Sequence, residues 1–136
     1  MSNLALNFSE AKHFDFKIKV LENILIDRKS KYTVVGWTVK FEEQVSLFIQ
    51  TLLKKKYFQK ASHNSYAYRI ELKNWAVLEW KNDDWETGAG NCILRELQRE
   101  GFVNVIVVVT RYFWGVYLNT DRFKNVINVT KEFLED

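Results

Sequence analysis

The chain contains no proline, one cysteine and five glycines among 136 residues, and each shortage excludes something. A lone thiol, Cys92, leaves no internal disulfide framework and suits a reducing compartment. It also excludes a zinc site built from several thiolates. With no proline and few glycines, no linker, repeat or low-complexity stretch divides the sequence. Long apolar runs are missing too. The longest strongly apolar run, Val105 to Val109, is far short of the ~20 residues that a membrane helix needs. Met1 to Lys12 lacks an uninterrupted apolar core and a small-residue cleavage site, so it does not read as a secretory signal. The expected location is the cytoplasm.

What is present argues for one packed domain. Hydrophobic residues make up 47% and aromatics 15% of the chain, too apolar for disorder. A chain of this size buries roughly two-thirds of its unfolded surface, enough for a core without staples. Residues 1–14 lack a clear period and read as a loose arm; residues 15–136 read as the domain. The net charge is +3. The only dense basic run, Lys54, Lys55 and Lys56, reads as a contact to phosphate or an acidic partner, or as cations closing a helix.

The hydrophobic period changes along the chain. Lys17 to Ile26 and Tyr32 to Phe41 are rich in β-branched, aliphatic and aromatic residues and predict two strands. Val45, Phe48, Ile49, Leu52 and Leu53 form one face of a helix from about Glu42 to Lys56. Tyr66, Tyr68, Ile70 and Leu72 alternate with Ala67, Arg69 and Glu71, as a half-buried strand does. Trp75 to Trp80 predicts its hairpin partner across Lys73 and Asn74. Ala89, Ile93 and Leu97 stripe a second helix from about Gly88 to Glu100, ended by Gly101 at C′. Val105 to Arg111 reads as a central strand buried on both faces. Asn119 or Thr120 caps a last helix with core positions Phe123, Val126, Ile127, Thr130, Phe133 and Leu134. The order β-β-α-β-β-α-β-α predicts an α+β fold: a mixed sheet with the helices on one face.

Polar constellations fall at the ends of these elements, where functional groups are usually placed. Several chemistries compete there. Asp83, Asp84 and Glu86, with His63, are oxygen and nitrogen donors for a hard divalent ion, and His63 is a candidate general base. The acidic trio reads equally well as a helix N-terminal cap, and Asp83 or Asp84 as a partner of Arg111 or Arg69. No nucleophile stands out, and Cys92 reads as packing. Basic residues interleaved with Tyr57, Phe58, Tyr66, Tyr68, Tyr112, Phe113 and Trp114 suggest nucleic-acid stacking, against which stand 17 acidic residues. Tyr66 and Tyr68 on a buried strand face are the plainer reading.

Four segments resemble the IMPACT family domain, whose relatives include bacterial YigZ-type proteins. Ala61-Ser62-His63-Asn64-Ser65-Tyr66-Ala67-Tyr68-Arg69-Ile70 is similar to its Ala-Thr-His-Asn-x-Tyr-Ala-Tyr-Arg-Ile motif. Asp83-Asp84-x-Glu86-x-x-Ala89-Gly90 is similar to its acidic-then-glycine motif. Val107 to Phe113 resembles the run before its Gly-Gly turn, and Asp121-Arg122-Phe123-Lys124-x-x-Ile127-Asn128 its eukaryotic branch. The resemblance covers about residues 18–135. Three positions depart from it: Trp85 and Trp114 stand where the family has glycine, and Asn119-Thr120 where it has Gly-Pro. Either those turns never needed glycine or the loops are rebuilt. The tryptophans form a new aromatic contact patch or fill the ends of the core.

The resemblance implies a ribosomal protein S5 domain 2-like fold and a stand-alone domain without the RWD domain of eukaryotic members. It implies a non-enzymatic regulator of translation under amino-acid starvation, with no cofactor. Its expected partner is the coactivator of the starvation-sensing initiation-factor kinase; actin is a second partner credited to the family. A ribosome- or RNA-binding module is the alternative, and a metal-dependent enzyme using Asp83, Asp84 and Glu86 a further one. The expected partner-binding surface comprises His63, Tyr66, Arg69, Asp83, Asp84, Glu86, Arg111, Trp114 and Asp121.

Overall fold

The computed structural model describes residues 12–13 and 18–135. The arm expected over residues 1–14 therefore lies outside the described residues except for Lys12 and His13. These two form a short strand, β1 (Lys12–His13), parallel to β6 (Phe102–Val103).

The main sheet has five strands: β2 (Lys19–Asp27), β3 (Ser30–Thr38), β4 (His63–Glu71), β5 (Val77–Asn82) and β7 (Val105–Tyr112). Their spatial order is β2-β3-β7-β4-β5. Every neighbouring pair is antiparallel, so the expected mixed sheet is corrected to a purely antiparallel one. The helices are α1 (Glu42–Leu53), the single turn α2 (Lys56–Gln59), α3 (Ala89–Glu100) and α4 (Asp121–Glu135). The α+β class and the order of the main elements are as expected.

The helices do not share one face, and this corrects the second expectation about the sheet. Side chains alternate across a strand, and β7 divides accordingly. Val105, Val107 and Val109 join Ile93, Leu97, Val126, Val129 and Phe133 beneath α3 and α4. Ile106 and Val108 join Val45, Phe48 and Leu52 of α1 on the opposite side. All five β7 residues from Val105 to Val109 are at most 2% exposed. Each such burial stabilises the fold by about 1.5–3 kcal/mol. A continuous apolar run is the signature of a strand covered twice, and it required a helix on either side.

Local chemistry sets the junctions. Arg28 and Lys29 both have positive φ (47° and 73°) and form the two-residue turn of the β2–β3 hairpin, the twist such a hairpin favours. In β2 the register shifts between Leu21 and Leu25, and the amide of Asn23 is taken up by Thr33 Oγ1 at 3.0 Å. Asn74 and Trp75 are left-handed (φ 65° and 67°), which delays β5 to Val77 instead of the expected Trp75. Gly36 lies under Phe133: a Cβ there would sit 2.4 Å from its Cζ, so only glycine admits this ring. Lys54 is the C-cap of α1, and Lys54, Lys55 and Lys56 are exposed where that helix gives way to α2. That placement accords with the helix-closing reading. Among the described residues, no helix is long and apolar enough to cross a membrane.

Candidate functional site

The site forms where β4 begins, β7 ends, and the loops entering α3 and α4 meet. β4 starts at His63 and pairs antiparallel with β7, so His63 stands opposite Arg111. The β5–α3 loop carries Glu86 over this junction. Arg111 Nη1 donates to both Glu86 oxygens at 2.9 Å, and each residue is 5% exposed. Its Nε and Nη2 face Ser30 Oγ at 3.4 and 3.3 Å. The guanidinium also lies over the rings of Tyr32 and Phe113, at 5.9 and 5.4 Å. An ion pair this buried survives because both charges are hydrogen-bonded.

Two further side chains approach the same carboxylate. His63 Nε2 is 3.7 Å from Glu86 Oε2, while His63 Nδ1 donates to the Asp84 carbonyl at 2.9 Å. Arg122, on the first turn of α4, places Nε 3.6 Å from Glu86 Oε1. That Nε is buried and has no hydrogen-bond partner among the described residues. Above this floor opens a pocket of about 240 Å³, walled by Trp85, Phe113, Tyr117, Leu118 and Asn119.

The two aspartates serve the loop. Asp83 Oδ2 accepts from the Gly88 amide at 3.0 Å and Oδ1 from the Gly90 amide at 2.8 Å, capping α3. Its carbonyl accepts from Ser65 Oγ at 2.8 Å. Asp84 Oδ2 accepts from the Asn64 amide at 2.6 Å. Of the readings open to the acids, the cap therefore describes Asp83. The arginine pairing falls to Glu86 for Arg111, and to Glu79 for Arg69. Among the described residues, no three His, Cys, Asp or Glu side chains converge to hold a metal ion.

The expected surface residues therefore divide. His63, Glu86 and Arg111 converge at the pocket, and Asp83 and Asp84 shape its loop. Tyr66 points to the α1 side of the sheet, in the second core. Burial, and then the charge of Asp84, push its phenol up. Tyr68 beside it is 7% exposed. It donates to Glu42 at 2.7 Å, and burial first, then that bond, push its phenol up to about 12. Neither tyrosine offers an open stacking platform. Arg69 lies at the other end of β4, bound to Glu79 and to the Phe102 carbonyl, each at 3.0 Å. Asp121 opens α4 and meets Arg28 Nη2 at 2.6 Å. Trp114 stands over the β2–β3 hairpin with Ile26, Lys29 and Lys31. The surface set named from sequence omitted Arg122, Trp85, Phe113 and Tyr117. Arg122 lay within the Asp-Arg-Phe-Lys segment, Trp85 stood out as a departure from the family pattern and Phe113 ended the Val107 to Phe113 run; Tyr117 carried no signal. Cys92 packs against the core beneath α3, and burial raises its thiol.

A model of the Impact N-terminal domain matches residues 28–134. The chain belongs to this family. It is 37% identical over 108 residues to the Protein IMPACT homolog of Dictyostelium discoideum, covering 79% of this chain and 31% of that protein. Protein IMPACT of Oryctolagus cuniculus is 35% identical over 111 residues, 81% of this chain and 35% of the relative. The chain thus spans about a third of these relatives' length. A solved structure of the "two-domain translational regulator Yih1" matches with a TM-score of 0.57 at 33% identity, over 79% of this chain and 42% of that one. Another, described as a hypothetical protein, matches with a TM-score of 0.74 at 19% identity, over 89% and 62%. That second likeness speaks for the fold alone.

Within the IMPACT family pattern, the departures now have a physical description. Trp85 keeps the left-handed conformation expected of the glycine it replaces (φ 67°), as does Asn119 (φ 53°). Asparagine tolerates that region; for tryptophan it is strained. Trp114 has no such requirement, because the positive φ falls on Gly115 (82°). Trp85 and Trp114 are 92% and 59% exposed. They do not fill the ends of the core.

Proposed function

We propose that the chain is a non-enzymatic regulator of translation that acts in the cytosol by binding a protein partner. The observation that carries this reading is the 33% identity, over 79% of the chain, to a protein described as a translational regulator. In the finer form of the proposal the partner is the coactivator of the starvation-sensing initiation-factor kinase. Occupying that coactivator damps kinase activation and keeps protein synthesis running during amino-acid shortage.

Two features of the site support the reading. His63 commits Nδ1 to a backbone carbonyl and faces Glu86, with no nucleophile hydrogen-bonded to it among the described residues. Around the pocket, Trp85 and Tyr117 are 92% and 77% exposed. Exposed aromatics of this kind anchor protein interfaces.

The test is a pull-down of the tagged chain from cytosolic extract, at low and high salt, with and without nuclease. Salt-resistant, nuclease-insensitive recovery of the coactivator supports the proposal, and its loss in Trp85→Ala assigns the surface. Recovery of ribosomes or RNA that vanishes with nuclease or salt replaces it with a nucleic-acid reading. Actin, probed in the same eluates, reports on the second partner.

A further inference from the structure

The pocket over Glu86 carries more positive than negative charge. Its lining contains two guanidinium groups, Arg111 and Arg122, one imidazole, His63, and one carboxylate, Glu86. The nearby acids are engaged elsewhere. Asp83 caps α3, Asp84 bonds the Asn64 amide, and Asp27 and Asp121 pair with Arg28. The two guanidinium groups against the single carboxylate leave one positive charge in excess. One member of that excess is unsatisfied: Arg122 Nε is buried without a hydrogen-bond partner among the described residues, 3.6 Å from Glu86. The Arg122 side chain as a whole is 34% exposed, so an acceptor entering the pocket meets its guanidinium and is favoured by charge as well as by the hydrogen bond.

The walls define the rest of the ligand. Trp85, Phe113, Tyr117 and Leu118 present aromatic and aliphatic surface, and Phe113 and Tyr117 rings stand 5.4 Å apart. The volume, about 240 Å³, is below the roughly 300–1,000 Å³ of pockets that hold drug-sized ligands. It suits one residue-sized group. The excess of one charge matches a monoanion: a phosphate dianion would leave the pocket negative beside Glu86. A planar carboxylate also fits the fork of a guanidinium.

We propose that this pocket binds the carboxylate of a small aromatic or apolar monoanion, with Arg122 as the recognising cation and Trp85, Phe113 and Tyr117 around the apolar body. Such a group is either a free small molecule or the C-terminal residue of another polypeptide. The proposal does not depend on the identity of any translation partner, because the purified chain alone tests it.

The experiment is a titration of the ¹⁵N-labelled full chain with benzoate, N-acetyl-phenylalanine, benzamide, benzylamine and inorganic phosphate, followed at the Trp85 indole and Arg122 Nε–H signals. Benzoate or N-acetyl-phenylalanine is expected to give saturable shifts, while neutral benzamide and cationic benzylamine give none. Arg122→Gln is expected to weaken binding about tenfold with the melting temperature kept, as for a lost charge-assisted contact. Lys124→Gln, an exposed cation on the same helix, removes the same charge and is expected to leave binding unchanged. Peptides ending in phenylalanine, with a free or an amidated terminus, separate the sources. Binding of the free-ended peptide without benzoate supports a chain end; equal binding of benzoate supports a free molecule. Shifts that never saturate, equal shifts with benzamide, tighter binding of phosphate, or full affinity in the folded Arg122→Gln variant would each overturn the proposal.

Discussion

Arg111 and Glu86 stand 25 positions apart in the chain, yet Arg111 Nη1 reaches both Glu86 oxygens at 2.9 Å, with both residues 5% exposed. The pair ties the end of the central strand to the loop that enters α3. It is the floor of the pocket and the point through which three segments of the chain are held together.

Removing one member strands the other. Glu86→Met leaves the Arg111 guanidinium buried without its counter-charge and is expected to cost about 3–5 kcal/mol in urea unfolding. The double variant Glu86→Met, Arg111→Met is expected to be more stable than Glu86→Met alone, because no charge is left behind. Additive losses in that cycle would show that the two do not act as a pair.

The neighbouring aspartates separate by position. Asp83→Ala deletes the side-chain acceptor of the Gly88 and Gly90 amides and is expected to cost roughly 0.5–2 kcal/mol, as for a lost helix cap. Amide exchange should accelerate at Gly88 and Gly90. In Asp84→Ala the acceleration should appear at Asn64 instead. A pattern in which Asp83→Ala leaves both glycine amides unchanged contradicts the cap.

Trp85 offers a test of strain. It is 92% exposed, so its replacement removes little packing, and its φ of 67° suits glycine. The strain relieved, ~1–2 kcal/mol, exceeds the ~0.5–1 kcal/mol that glycine's unfolded-state entropy costs. Trp85→Gly is therefore expected to unfold at the same or a higher urea concentration, while losing the indole that lines the pocket. A clear drop in the midpoint would mean that the indole packs.

Asp27 gives a pH signature. The Arg28 side chain, and then Asn125, hold its carboxyl at about 2, against 3.8 without them. The sign follows: a carboxylate favoured in the fold stabilises it above about pH 4, and that contribution fades as pH falls from about 4 toward 2. A ¹³C titration of the Asp27 carboxyl should show a midpoint near 2. Arg28→Ala should raise that midpoint and flatten the acid side of the stability profile. A midpoint unchanged in Arg28→Ala contradicts the assigned cause.

Much of this architecture was readable from periodicity. The α1 stripe of Val45, Phe48 and Leu52, the alternation along β4 and the unbroken run of β7 each reflect a local burial requirement that the chain writes in order. The α4 stripe was incomplete: Val129, 1% exposed, and Asn125, 7% exposed, were not among its expected core positions. Asn125 is a buried polar residue whose amide donates to Asp27, a partner 98 positions away that no window along the helix includes.

The site was legible in part, and the division has a cause. His63, Glu86 and Arg111 were found because short motifs at element ends carried them. Tyr66 and Arg69 share the His63 strand, yet alternation turns Tyr66 to the other face and length carries Arg69 to the other end. Arg122 and Tyr117 become neighbours of Glu86 only when α4 folds back over the sheet.

The amino-acid order alone determined the class, the order of the main elements and the double burial of β7, because each follows from contacts between a residue and the solvent or its near neighbours. Tertiary structure alone decided that the sheet is purely antiparallel and that α1 lies opposite α3 and α4. It also decided that Glu86, not Asp83 or Asp84, pairs with Arg111. Those outcomes depend on which distant segments meet, and the free energy of such meetings belongs to the assembled core and not to any stretch of sequence.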